Sequence, residues 1–180
     1  MRLPRRRGPV HPGQAAPDLA SDSVFKNVLV PLDGSELAER ILAPATSLGG
    51  LVGSDYTLLR VVKPVHPTLP HSEGLSIAQL AGKILDDIEK LQGEVRKEAE
   101  AYLAGVAQRL RAQALRVGTR IAVSDHPASA ILQEAATCGA DLVAIETHGR
   151  GGLSRLFLGS VADKVIRGSS VPVLVHRPSE

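Results

Sequence analysis

The chain predicts an open α/β domain with a parallel sheet covered by helices on both faces. Three observations carry that prediction. Short β-branched runs alternate with longer segments whose apolar residues recur every three or four positions, which is the pattern of βαβ units. The strand-like runs are continuously apolar, as in strands buried on both faces. The breaks between them are rich in Gly, Pro, Asp and Ser. At 180 residues the chain fits one domain with a substantial core.

Residues 25–32, Phe-Lys-Asn-Val-Leu-Val-Pro-Leu, read as the first strand. Asp33-Gly34-Ser35 breaks it, and Ser35 or Asp33 can cap the next helix, whose Leu37, Ile41, Leu42 and Ala45 fall at helical spacing. Gly49-Gly50 ends that helical region. Residues 56–62 are the second strand. Residues 63–74 hold three prolines and read as a loop. From 77 to 115 the pattern is helical, with Ile84, Ile88, Leu91, Val95, Ala99, Tyr102, Val106 and Leu110 along one face. One unbroken helix of that length would reach about 58 Å, longer than a small domain. A break is therefore expected near Gly82 or Gly93, where glycine costs about 1 kcal/mol relative to Ala.

Residues 118–123 form the third strand. Ser124-Asp125-His126-Pro127 is a turn, with Pro127 suited to the first turn of a helix that runs to Cys138 and stops at Gly139. Residues 141–146, 160–167 and 171–176 complete the pattern as strand, helix and strand. Right-handed crossovers make such a sheet parallel, and ligands bind beyond the carboxyl ends of its strands, where strand order reverses.

Composition excludes several functions. Two Phe, two Tyr and no Trp leave no aromatic platform for stacking bases. Residues 1–23 carry Arg2, Arg5, Arg6 and Arg7 against Asp18 and Asp22, and the remainder balances at 17 basic and 17 acidic residues, so no basic footprint for nucleic acid is expected. That segment, with four prolines and few large apolar residues, reads as a disordered arm preceding a domain over 24–180. The lone Cys138 allows no internal disulfide and suggests a reducing, cytoplasmic setting. No apolar run approaches the ~20 residues of a membrane span, and no secretory signal follows the N-terminal arginines.

The segment from Ala140 to Arg177 carries the most chemistry. A buried strand empties into Glu146-Thr147-His148-Gly149-Arg150-Gly151-Gly152, and a helix later opens on Gly159-Ser160. Helix N-termini and glycine-rich turns present N–H groups to phosphate. Ser160 could donate to a phosphate oxygen, or it could cap its own helix with Asp163 at capping-box distance. Arg150 could add charge. Asp33 could meet a ribose hydroxyl, help hold a metal, or cap a helix. His148 sits at the mouth of this region and reads as a structural hydrogen-bonder. His66 and His71 have no third ligand at metal spacing, so no metal centre is expected. No nucleophile with a paired base, no nucleophile elbow and no Walker lysine is present.

Val28-Leu-Val-Pro-Leu-Asp-Gly-Ser-Glu, Asp125-His-Pro-Ala, Thr147-His-Gly-Arg-Gly-Gly-Leu, Leu158-Gly-Ser-Val-Ala-Asp-Lys-Val and Val171-Pro-Val-Leu-Val resemble the universal stress protein family over about residues 25–177. The resemblance implies strand order 3-2-1-4-5, a homodimer through Val171-Pro172-Val173-Leu174-Val175 and, in one branch, ATP, ADP or AMP bound with Mg²⁺ and without a Walker lysine. That branch has the signature Gly-x2-Gly-x9-Gly-Ser/Thr. Gly149, Gly159 and Ser160 match it; Glu146 stands at the first glycine. By the same matching, Pro31, Leu32, Asp33, Val61 and Ile145 would meet base and ribose. Glu146, His148, Gly149, Arg150, Gly159, Ser160 and Val161 would lie along the phosphates.

The expected function is therefore a nucleotide-binding stress or signalling module that acts on a protein partner, with at most slow hydrolysis. The alternative is a nucleotide-free dimeric interaction protein of the same fold. An adenylating enzyme is disfavoured because the chain lacks a Ser-Gly-Gly-x-Asp-Ser loop.

Overall fold

The structure, a computed structural model, describes residues 25–67, 77–147 and 159–176. The expected arm over residues 1–23, and His71, His148, Gly149 and Arg150, lie outside the described residues. Five strands, β1 (Asn27–Pro31), β2 (Asp55–Val62), β3 (Arg116–Val123), β4 (Leu142–Glu146) and β5 (Val173–His176), form one sheet of order β3-β2-β1-β4-β5. Every neighbouring pair is parallel. The helices are α1 (Glu36–Glu39), α2 (Leu42–Gly50), α3 (Ile77–Arg111), α4 (Pro127–Thr137) and α5 (Ser160–Gly168).

The continuous apolar runs are explained by two cores. Successive side chains of a strand point to opposite faces. Val28, Val30, Leu58, Leu142 and Ala144 meet Ile41, Ala45, Leu103, Val106 and Leu110 on one face. Leu29, Leu59, Val143 and Ile145 meet Ala128, Ile131, Ala135, Ala162 and Val165 on the other. Burying each large aliphatic side chain contributes about 1.5–3 kcal/mol, so both faces of β1 and β4 are needed to hold the sheet.

The helix expected after β1 is instead two pieces. The chain tightens at Arg40 and Ile41, whose φ/ψ of −62/−23 and −64/−23 lie at the 3₁₀ end of the helical range. Pro44 is the cause: it has no N–H for the Arg40 carbonyl, and its ring crowds that oxygen. Gly49 in α2 leaves no room for a Cβ, which would stand 2.7 Å from Ser54 Oγ and also meet the Tyr56 hydroxyl.

The expected break in the long helix does not occur. α3 runs unbroken for 35 residues, about 52 Å. At Gly82 and Gly93 an added Cβ would meet nothing within 4 Å, so neither glycine marks a close approach and only its modest propensity cost remains. Nor must the whole helix fit against the sheet. Ala99, Leu103, Val106, Ala107 and Leu110 are buried, whereas Leu85 is 66% and Leu91 48% exposed. Gln92 fastens the earlier half to the segment after β2, accepting from Val65 N–H at 2.8 Å.

Other boundaries move by a residue or two. β3 starts at Arg116, two residues before the expected 118, because it pairs with β2 along its whole length from Asp55↔Arg116 to Val62↔Val123. α4 begins on Pro127 as expected, and Gly139 follows its end at φ 63, a conformation that favours glycine. β5 starts at Val173, after a turn in which Ser169 Oγ donates to the Val171 carbonyl at 2.7 Å. The Asp141 carboxylate ties the lower ends of β1 and β4 together, accepting from Lys26 and Asn27 N–H at 2.8 and 3.0 Å.

Candidate functional site

Strand order reverses between β1 and β4: the chain leaves β1 toward β2 on one side, and β4 lies on the other. The carboxyl ends of these two strands therefore frame the crevice in which open α/β sheets hold ligands. Pro31, Leu32 and Asp33 stand at one lip, and Ile145, Glu146 and Thr147 at the other.

At the β1 lip, Gly34 has φ 81, which favours glycine and turns the chain sharply. Asp33 Oδ1 accepts from Ser35 N–H at 2.9 Å and Ser35 Oγ at 2.5 Å. Ser35 Oγ in turn accepts from Ala38 N–H at 3.1 Å and so caps α1. Ser35 is thus the cap and Asp33 the residue that braces it. Arg60 Nη1 donates to the Leu32 carbonyl at 3.3 Å, and its guanidinium lies 5.9 Å from the centre of the Tyr102 ring. Glu39 pairs with Arg109 beside them, linking α1 to α3. The Tyr102 hydroxyl is buried without a hydrogen bond of regular geometry, and burial, then the nearby Glu39 carboxylate, push its pKa above the ordinary phenol value.

At the β4 lip, Gly159 N–H donates to the Thr147 carbonyl at 2.7 Å, which hangs the start of α5 directly on the end of β4. A Cβ on Gly159 would come within 2.6 Å of that same oxygen. Gly159 is the N-cap, and among the described residues no side chain caps the helix. Ser160 is its first helical residue and is exposed. The capping box considered for Ser160 and Asp163 is absent: the Asp163 carboxylate accepts from Arg167 Nε at 2.9 and 3.0 Å. The first N–H groups, without a side-chain cap among the described residues, and the helix dipole leave this end suited to an anion.

Glu146 faces away from the α5 side. One carboxylate oxygen accepts from Thr147 N–H at 2.9 Å and Thr147 Oγ1 at 3.2 Å, and the other lies 2.6 Å from His176 Nδ1. The two residues are register partners across β4 and β5. Glu146 shares a face with Leu142 and Ala144, opposite Ile145. Ile145 is buried and Val61 half-buried in the core that includes α4 and α5, and Val161 packs against the same core. Pro31 is also buried.

The structure thus brings Pro31, Leu32, Asp33, Ile145, Glu146, Gly159, Ser160 and Val161 to one end of the sheet, with Val61 near the end of β2. His176 and Thr147 are the residues that sequence reasoning missed. A signal existed: β4 and β5 each end an apolar run with one polar residue, and the expected order sets these strands side by side. His66 Nε2 and Asp125 pair at 3.3 Å between the segments that follow β2 and β3. Among the described residues no group of three or more His, Cys, Asp or Glu side chains could hold a metal ion. Also among them, no helix is long and apolar enough to cross a membrane.

A parallel sheet of this order, with the strand-order reversal between β1 and β4 and a helix N-terminus beside it, defines an open α/β domain. The universal stress protein family model matches residues 25–177, and the chain belongs to that family. A universal stress protein of Thermus aquaticus is 35% identical over 156 residues, covering 86% of this chain and all of the relative. YxiE of Bacillus subtilis, also a universal stress protein, is 29% identical over 154 residues, with 86% and 100% coverage. A relative from Mycobacterium tuberculosis, Rv2005c, is 31% identical over 152 residues, but the chain spans only 45% of its length. The solved structure of MJ0577, a universal stress protein of Methanocaldococcus jannaschii, superposes with a TM-score of 0.71 at 25% identity, covering 87% of this chain and 99% of that one.

Proposed function

We propose that the chain binds an adenine nucleotide, ATP with Mg²⁺, across the ends of β1 and β4, and that it acts as a homodimeric stress-response module on a protein partner. The carrying observation is the start of α5: a helix N-terminus with no side-chain cap among the described residues, hung from Thr147 through Gly159 at the point where strand order reverses. In this reading Gly159, Ser160 and Val161 present N–H groups and a hydroxyl to phosphate oxygens, together with His148, Gly149 and Arg150. Asp33 meets a ribose hydroxyl or the ion. Pro31, Leu32, Val61 and Ile145 flank base and ribose, and the backbone of Glu146 borders the phosphates. A solved universal stress protein in complex with cAMP shares this fold at a TM-score of 0.53, which is consistent with the reading. ATP supplies binding energy and a signal; with no P-loop lysine at the γ-phosphate, turnover is slow.

A second reading, a nucleotide-free dimer of the same fold, is favoured by Glu146, a carboxylate where the nucleotide-binding signature has glycine. Two measurements separate them. Chromatography of protein denatured after purification without added ligand would release ATP or AMP under the first reading. Calorimetry with millimolar ATP and Mg²⁺ would show binding heat. Ligand-free protein with no heat and no thermal shift would overturn the nucleotide reading.

A further inference from the structure

Glu146 carries a negative charge one residue from the carbonyl on which α5 hangs. We propose that His176 is a positioning residue for the anion site: by pairing with Glu146 it holds that carboxylate on the face opposite α5 and offsets its charge, so that phosphate can bind there. The inference rests on the nucleotide reading and adds to it a residue on another strand that regulates the same site.

The geometry supports each step. The Glu146 side chain is only 2% exposed, against 29% for His176, so its charge is not relieved by water. It accepts three hydrogen bonds, from Thr147 N–H, Thr147 Oγ1 and His176 Nδ1. A carboxylate only accepts, so the imidazole nitrogen facing it bears the hydrogen. Among the described residues no lysine or arginine pairs with Glu146, and among them His176 is the side chain that can offset it. The same connection orients the site. Thr147 N–H also reaches the His176 carbonyl at 3.2 Å, and the Thr147 carbonyl receives Gly159 N–H at 2.7 Å. A continuous set of hydrogen bonds thus runs from the edge strand to Gly159, the N-cap of α5.

Without His176 the carboxylate is buried with one oxygen unpaired, and its field opposes any phosphate at the helix entrance. At an effective dielectric of about 20, repulsion between two unit charges amounts to about tenfold in affinity at a separation of roughly 12 Å, and to more at shorter range. Calorimetry with ATP and Mg²⁺ on four proteins tests the idea: wild type, His176→Ala, Glu146→Gln and the double variant. His176→Ala should weaken ATP about tenfold. Glu146→Gln should bind at least as tightly as wild type, and the double variant should match Glu146→Gln within about twofold, because no charge remains to offset. A His176 that merely packs would weaken the double variant as much as the single one, which would overturn the proposal. So would unchanged affinity in His176→Ala. If His176→Ala fails to fold, the double variant against Glu146→Gln decides: equal affinity supports the proposal and a loss overturns it. A wild-type protein that binds no nucleotide overturns the nucleotide reading and this inference together; wild-type binding without the expected pattern overturns this inference alone.

Discussion

Replacing Gly159 by alanine tests whether the start of α5 is built as described. Its φ/ψ of −57/144 is open to any residue, so alanine brings no backbone strain. The cost is steric. The added Cβ would stand 2.6 Å from the Thr147 carbonyl oxygen, roughly 0.8 Å short of an ordinary van der Waals separation. That oxygen is also the acceptor of the 2.7 Å bond from Gly159 N–H, so retreating from the clash stretches or breaks the bond. Overpacking of this kind costs about 1–3 kcal/mol and a lost hydrogen bond about 1 kcal/mol, while the less flexible unfolded chain returns about 0.4–1 kcal/mol. The net expectation is a loss of about 2 kcal/mol, or about 4–8 °C in Tm for a domain of this size. Urea unfolding followed by circular dichroism measures the first, and a thermal melt the second. In calorimetry the same variant should weaken ATP, and Gly159→Asp should abolish binding by adding a negative charge at the helix start. Gly159→Ala with stability within about 0.5 kcal/mol of wild type would refute the packing argument, since surface substitutions free of such contacts fall in that range.

Two further outcomes follow from the same structure. Burial, then Glu39, raises the Tyr102 pKa, so the unfolded chain loses this proton first once pH passes about 10; the contribution is present below that value and lost above it. Tyr102→Phe should therefore unfold at pH 7 within about 1 kcal/mol of wild type and lose less stability between pH 9 and pH 11; urea curves at both ends that run parallel to wild type would contradict this. β5 lies at the sheet edge with Val175 37% exposed, and Val173 shares its face. Lysines at both positions should convert the proposed dimer to monomer in light scattering at micromolar concentration; a wild-type chain already monomeric there would remove the β5 interface.

Local patterns in the sequence determined the fold class and element order. Continuous apolar runs such as Val28-Leu29-Val30 demand two covered faces, and Pro127 and Gly139 mark both ends of α4, because helix termini and strand burial depend on neighbours within a few residues. The motif Gly159-Ser160 pointed to α5 and to an anion for the same local reason. What needed tertiary structure was every choice between competing partners. Asp33 and Ser35 could each cap α1; the turn at Gly34 assigns the cap to Ser35 and the brace to Asp33. Asp163 stood at capping-box distance from Ser160 yet turns to Arg167. The length of α3 escaped prediction because a glycine interrupts a helix only when packing asks it to, and Gly82 and Gly93 face open space. Glu146 is the sharpest case. Its sequence position suggested a carboxylate against phosphate, but a side chain chooses its direction by the partners around it, and His176, thirty residues on, becomes a neighbour only when β4 and β5 align in register.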